Sequence, residues 1–144
     1  MKTDRKTVYL NSICILLILL WTYTAISKLM DIEEFKRQLY NQTFGRSIAN
    51  LLIWLLPSTE LCAAILLCFK KSRSIGLLLS FSLMLLFSVY IGLVLLNYYG
   101  RTPCACGGVL SGLGWKAHFW FNIGYLLLAG YGVWLEHHFR HLKK

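Results

Sequence analysis

Two cysteines one residue apart, Cys104 and Cys106, stand in the run Thr102-Pro103-Cys104-Ala105-Cys106-Gly107-Gly108. Such a pair could close a disulfide on itself, hold part of a metal site, or exchange with a partner protein. Bridged cysteines want Cα atoms about 5.5–6 Å apart. The small i, i+2 ring leaves little freedom, and strain makes a disulfide easier to reduce. Exchange between dithiol and disulfide is therefore the preferred reading. Pro103 fixes φ just before the pair, and Gly107 and Gly108 permit unusual backbone angles after it. A structural loop staple is one alternative. Metal binding is the other, but zinc needs further ligands and only His118 is close in sequence.

A second group with chemical potential is Glu60, a carboxylate in the apolar stretch from Ile48 to Phe69. Ionisable groups inside apolar spans are expensive and point to function. Pro57, just before it, frees a backbone carbonyl and predicts a kink. Thr22, Thr24, Tyr90, His118 and Asn122 fall at similar depth in the other apolar stretches, and His118 and Asn122 share a helix face at i, i+4. These predict a polar layer beneath the cysteine pair, with Glu60, Tyr90, His118 and Asn122 as the residues that would place a quinone headgroup or relay a proton. Lys28 could snorkel outward or turn in toward the same layer. The alternative is a hydrogen-bonded layer that only fixes helix register. For His118 alone, a satisfied interfacial histidine is the commoner outcome.

What positions these residues follows from composition. The chain has 144 residues, 57% hydrophobic and only 15% charged. A soluble domain has about 25% charged residues, and a core this small could not hide so much apolar surface. An ordinary soluble enzyme, a disordered tail and a disulfide-rich secreted mini-protein are excluded. The long uncharged runs argue against a nucleic-acid reader despite a net charge of +9. A membrane-crossing helix needs about 20 residues. Four stretches meet this, at about 8–27, 48–69, 75–99 and 117–135. The expectation is a single all-α domain over residues 1–144, a four-transmembrane-helix bundle with a short amphipathic outer helix. The first span has a basic start and a small-residue run at Ala25-Ile26-Ser27, but its apolar core exceeds the usual signal-peptide length of about 7–15 residues. It is read as a retained helix.

Charge orients the spans. One side would hold Lys2, Arg5, Lys6, Lys70, Lys71, Arg73, Arg140, Lys143 and Lys144, against Asp4 and Glu136. The positive-inside rule puts that side, with both termini, in the cytoplasm. Segments 28–47 and 100–116 then face outward, to the periplasm of a bacterium. There Cys104 and Cys106 meet an oxidising compartment. Cys14, Cys62 and Cys68 are read as small apolar packing residues. Residues 31–40 carry Ile32, Phe35 and Leu39 on one helical face, with acids leading and bases following. This predicts an amphipathic helix, either on the membrane surface or packed on the bundle. Gly76, Ser80, Met84, Ser88 and Gly92 recur every four residues and predict a packing seam. Trp21, Trp54, Trp115 and Trp120 read as interface anchors.

The chain resembles the DoxX/MauE-like family of small four-helix bacterial membrane proteins over nearly its whole length. The resemblance is carried by Pro103-Cys104-Ala105-Cys106-Gly107-Gly108-Val109-Leu110 with Trp115, His118, Phe121 and Asn122. It is supported by Ser27-Lys28-Leu29 with Phe35, by Trp54, Pro57 and Glu60, and by Ser80, Met84 and Tyr90. It implies a redox-associated inner-membrane protein. MauE is linked to maturation of a disulfide-rich periplasmic enzyme, methylamine dehydrogenase, and DoxX to a quinone-linked oxidoreductase. The motif departs from MauE's Cys-Gly-Cys-Phe at Ala105 and Gly107.

The sequence therefore predicts periplasmic thiol–disulfide exchange by Cys104 and Cys106, with a thioredoxin-like or cysteine-containing client. Glu60, Tyr90, His118 and Asn122 form the pocket, with quinone as the cofactor to consider. The rival is a non-catalytic membrane subunit or assembly factor that docks a partner and uses the cysteines as a staple.

Overall fold

The computed structural model describes residues 5–42, 44–100 and 114–142. Five helices appear in the described chain: α1 (Arg5–Met30), α2 (Ile32–Tyr40), α3 (Arg46–Cys68), α4 (Arg73–Leu95) and α5 (Trp115–Leu142). Three of them, α1, α3 and α4, are long and apolar enough to cross a membrane. Helix α5 is longer still, at 28 residues, but His118, Asn122, Glu136, His137 and His138 dilute its apolar character. Leu19, Leu51, Ile65, Leu78, Leu86 and Leu127 all face outward and are exposed on the protein. Large apolar residues on every outer face would be a heavy liability in water. The pattern is that of a multi-pass membrane protein.

Each long helix packs against two others. The pairs are α1 with α3, α3 with α4, α4 with α5, and α5 with α1. Leu10, Leu17, Leu77, Ala129 and Leu135 fill the centre. The predicted seam on α4 lies inside, with Gly76, Ser80, Met84 and Ser88 all buried. Gly76 lets α3 approach so closely that a Cβ there would sit 2.9 Å from the Leu67 backbone nitrogen. At the end where α3 turns into α4, Arg73 Nη2 lies 2.9 Å from Glu136 Oε2. Its Nη1 donates to Asn11 Oδ1 at 3.2 Å. One side chain thus ties α4 to α5 and α1.

Three expectations are revised. The third apolar stretch was expected to stay helical to residue 99, but α4 stops at Leu95. Asn97 adopts φ 55°, in the left-handed region. The Asn97 N–H bonds the Val94 carbonyl and the Tyr98 N–H bonds the Leu93 carbonyl. That arrangement closes a helix end, and Asn tolerates the left-handed position. Trp21 is not an interface anchor. It is 1% exposed, and its indole N–H donates to Ser80 Oγ at 2.9 Å. Of the three cysteines read as packing residues, Cys14 is buried but Cys62 and Cys68 are exposed on the outer surface of α3.

Helix α2 packs on the bundle. The Asp31 side chain caps it by accepting from the Glu34 N–H at 3.2 Å. Phe35 and Leu39 are buried against Ala49 and Ile53 of α3. Its apolar face is spent on the bundle, and Glu33 and Arg37 face away from it. Helix α3 runs unbroken through Pro57.

Candidate functional site

The cavity lies where α1 ends, α4 ends and α5 begins. All five helices line it, and its volume is about 120 Å³. Trp21, Phe87 and Phe121 supply flat apolar walls, with Met84 beside them. Glu60, Tyr90, His118 and Asn122, the four pocket residues picked from the sequence, all line this one cavity. Thr24 does too, and Lys28 with it. Helix α2 covers part of the space with Phe35 and Leu39.

The charged element is an ion pair. Lys28 Nζ donates to Glu60 Oε1 at 2.7 Å and to Oε2 at 3.0 Å. Its remaining contact is the Thr24 carbonyl at 3.3 Å, the i−4 position of its own helix. The ammonium also lies 5.9 Å from the centre of the Phe35 ring. Glu60 is 1% exposed and the Lys28 side chain 17%. A carboxylate that deep must be paired or neutral, and Lys28 pairs it through both oxygens. The sequence left Lys28 open between snorkelling and turning inward. It turns inward, because Ala63 and Ala64, one turn beyond Glu60, are small and buried and leave room for α1 to lie close.

The other polar groups differ in how they are held. Tyr90 donates its hydroxyl to Gln42 Oε1, and Gln42 Nε2 donates to the Gln38 carbonyl at 3.1 Å. The Tyr90 ring also meets Phe44 and Tyr99, with centroids 6.1 and 6.0 Å away. Tyr90 is thus engaged by the chain after α2 and by the chain after α4. Gln42 is 2% exposed and was missed by sequence reasoning. It lies in a polar stretch outside every span, so no local signal marked it. His118 and Asn122 line the cavity from one face of α5. Among the described residues neither makes a hydrogen bond through its side chain.

Cys104 and Cys106 lie outside the described residues. In the sequence they fall between α4 and α5. Among the described residues no three His, Cys, Asp or Glu side chains gather as a metal site would require.

A family model described as Methylamine utilisation protein MauE matches residues 6–135. The chain belongs to the MauE family. No curated protein and no solved structure matches it. MauE membership covers all three helices of membrane-crossing length, the cavity and the cysteine pair, and makes this a redox-associated membrane protein.

Proposed function

We propose that this MauE-family chain is a four-span protein of the bacterial inner membrane, with α5 as the fourth span and both termini in the cytoplasm. Its function is to carry out or support thiol–disulfide exchange at the periplasmic face through Cys104 and Cys106. The nine basic residues assigned to one side, against six on the other, support the orientation. What supports the functional reading is a Cys-x-Cys pair in a MauE-family chain whose helices also enclose a cavity lined by polar side chains.

In the oxidising direction, a client thiolate attacks one sulfur of the Cys104–Cys106 disulfide and forms a mixed disulfide. The client's second thiolate then attacks that bond. The client leaves as a disulfide and the pair is left as two thiols. Two electrons and two protons must next leave the pair, and in this reading the cavity takes their acceptor. Glu60, Tyr90, His118 and Asn122 line that space. The partner is a thioredoxin-like or cysteine-containing periplasmic protein.

The test is to trap thiols in cells that carry Cys104→Ser or Cys106→Ser. Exchange predicts that one single variant accumulates a mixed disulfide with a client. If neither traps a partner, and the double variant retains full function, the chain is instead a non-catalytic subunit or assembly factor. The exposed charged ridge of α2, with Glu33, Glu34, Lys36 and Arg37, is what such a factor would present to a partner.

A further inference from the structure

The end of the bundle opposite the cavity is tied by one polar knot. Arg73 of α4 bonds Glu136 of α5 and Asn11 of α1, and so fixes a common level on three helices. At that level three aromatic side chains face outward. They are Tyr9 of α1, Phe69 just after α3, and Trp134 of α5, and all three are exposed. Tyr9 and Trp134 each stand two residues before a member of the knot. Aromatic rings gather where the hydrocarbon of a membrane gives way to its headgroups. Rings from three separate helices at one level mark that boundary.

Beyond the boundary the charge is one-sided. Lys70 and Lys71 stand in the turn between α3 and α4, and Arg5 and Lys6 open α1. The α-helical rise puts those two residues roughly 7–9 Å beyond Asn11. All four cations are exposed, and among the described residues none makes an ion pair. The one described acid at this end, Glu136, is engaged by Arg73. Ser72 does not offset the charge either. Its Oγ donates to the Leu66 carbonyl at 2.9 Å instead of capping α4, and α4 has no acid in its first turn. The opposite end is nearly balanced. There Lys36 pairs with Glu33, Arg37 with Glu34 and Lys28 with Glu60.

The aromatic boundary places the four cations at headgroup depth. A lysine or arginine there lays its stem along apolar surface and extends its charge to phosphate. Each cation near an acidic leaflet adds to the attraction. A zwitterionic headgroup carries its own cation and gains little. We propose that the turn at residues 69–71, with Arg5 and Lys6, is a binding surface for an acidic phospholipid, the phosphatidylglycerol class, in the leaflet that this end meets. Lys70 and Lys71 take the phosphodiester, Arg5 and Lys6 hold it from α1, and Tyr9 and Phe69 lie against the glycerol and upper acyl chain. In the orientation proposed above, the leaflet is the cytoplasmic one. Neither the cysteine pair nor the cavity takes part, so lipid binding is independent of thiol exchange.

The test uses the full chain, immobilised in maltoside micelles that contain equal phosphatidylglycerol and phosphatidylcholine with the same acyl chains. Retained lipid is quantified by mass spectrometry after washing. Phosphatidylglycerol should be enriched about tenfold over phosphatidylcholine, and the enrichment should shrink as salt rises. Lys70→Gln/Lys71→Gln should remove most of it, a loss of about tenfold in affinity. Arg5→Gln/Lys6→Gln, a second variant should the first not fold, should act in the same direction. Arg46→Gln/Lys116→Gln removes as much charge from the opposite end and should leave the enrichment intact. Equal retention of the two lipids overturns the proposal. So does an equal loss in Arg46→Gln/Lys116→Gln, which would reduce the effect to net charge. Inorganic phosphate is the last probe. If it displaces phosphatidylglycerol more strongly than chloride at equal ionic strength, the surface takes a free anion and the lipid assignment fails.

Discussion

The Lys28 ammonium lies 2.7 Å from one oxygen of Glu60 and 3.0 Å from the other, and joins α1 to α3 across 32 residues of sequence. The two partners are not equally placed. Glu60 is enclosed, whereas Lys28 keeps a path to the surface.

That asymmetry predicts unequal mutational costs. Lys28→Met strands a buried carboxylate and should cost roughly 3–5 kcal/mol of stability. Glu60→Gln should cost less, since Lys28 can extend outward on its flexible stem. The double variant Lys28→Met/Glu60→Met should recover much of the Lys28→Met loss. Thermal unfolding in micelles measures all three. Equal losses for the two single variants would show that the ion pair does not have the buried and open sides described.

Close helix approach makes a second prediction. A Cβ at Gly76 would sit 2.9 Å from a backbone nitrogen of α3 and 3.1 Å from a backbone carbon. Backbone cannot swing aside, so Gly76→Ala should destabilise by about 1–3 kcal/mol. Gly124 has nothing within 4 Å of its virtual Cβ, so Gly124→Ala should be neutral or slightly stabilising through helix propensity. Comparable unfolding midpoints for the two variants would contradict the α3–α4 packing.

Tyr90 anchors the chain that follows α2. Tyr90→Phe removes the hydroxyl given to Gln42 and keeps the ring contacts. It should cost about 1 kcal/mol. Amide exchange should quicken around residues 38–45 and remain unchanged in the centre of α1. A uniform rise along the chain would mean that the bond does not hold α2 locally.

The outer ridge of α2 makes a pH prediction. Hydrogen bonds from Arg37, and then from Gln38, hold the Glu34 carboxyl below its ordinary value of 4.5. A carboxyl with a depressed folded value stabilises its surroundings above its unfolded value. It loses that contribution as pH falls through the folded one. Amide protection in α2, corrected for intrinsic exchange, should therefore decline as the medium is acidified below about 4.5. Glu34→Gln should weaken that dependence, leaving the part that comes from the Asp31 cap and the Glu33–Lys36 pair. An unchanged acid response in Glu34→Gln would assign it to another group.

Sequence alone determined the helices and their class. Runs of about 20 apolar residues have no other economical structure in a bilayer, because only a helix satisfies its own backbone there. The i, i+4 spacing of His118 and Asn122 set them on one face before any neighbour was known. The Cys-x-Cys spacing singled out the pair on which the proposed exchange rests, and the residues around it carried the family resemblance. Local chemistry also foretold α2, since acids lead, bases follow and apolar residues fall at helical spacing.

Tertiary structure decided who faces whom. Trp21 reads as an interface residue by type, yet its indole N–H reaches Ser80, 59 positions away. Gln42 has no distinguishing local context, and only the approach of α4 brings Tyr90 to it. Lys28 had two destinations open to it, and the closeness of α1 to Glu60 selected one. The same holds for Asn122. Its sequence neighbours cannot tell whether a carboxamide is paired across the bundle or left facing a cavity. Those outcomes depend on contacts between helices far apart in the chain, and each such contact is fixed by the packing of many side chains at once.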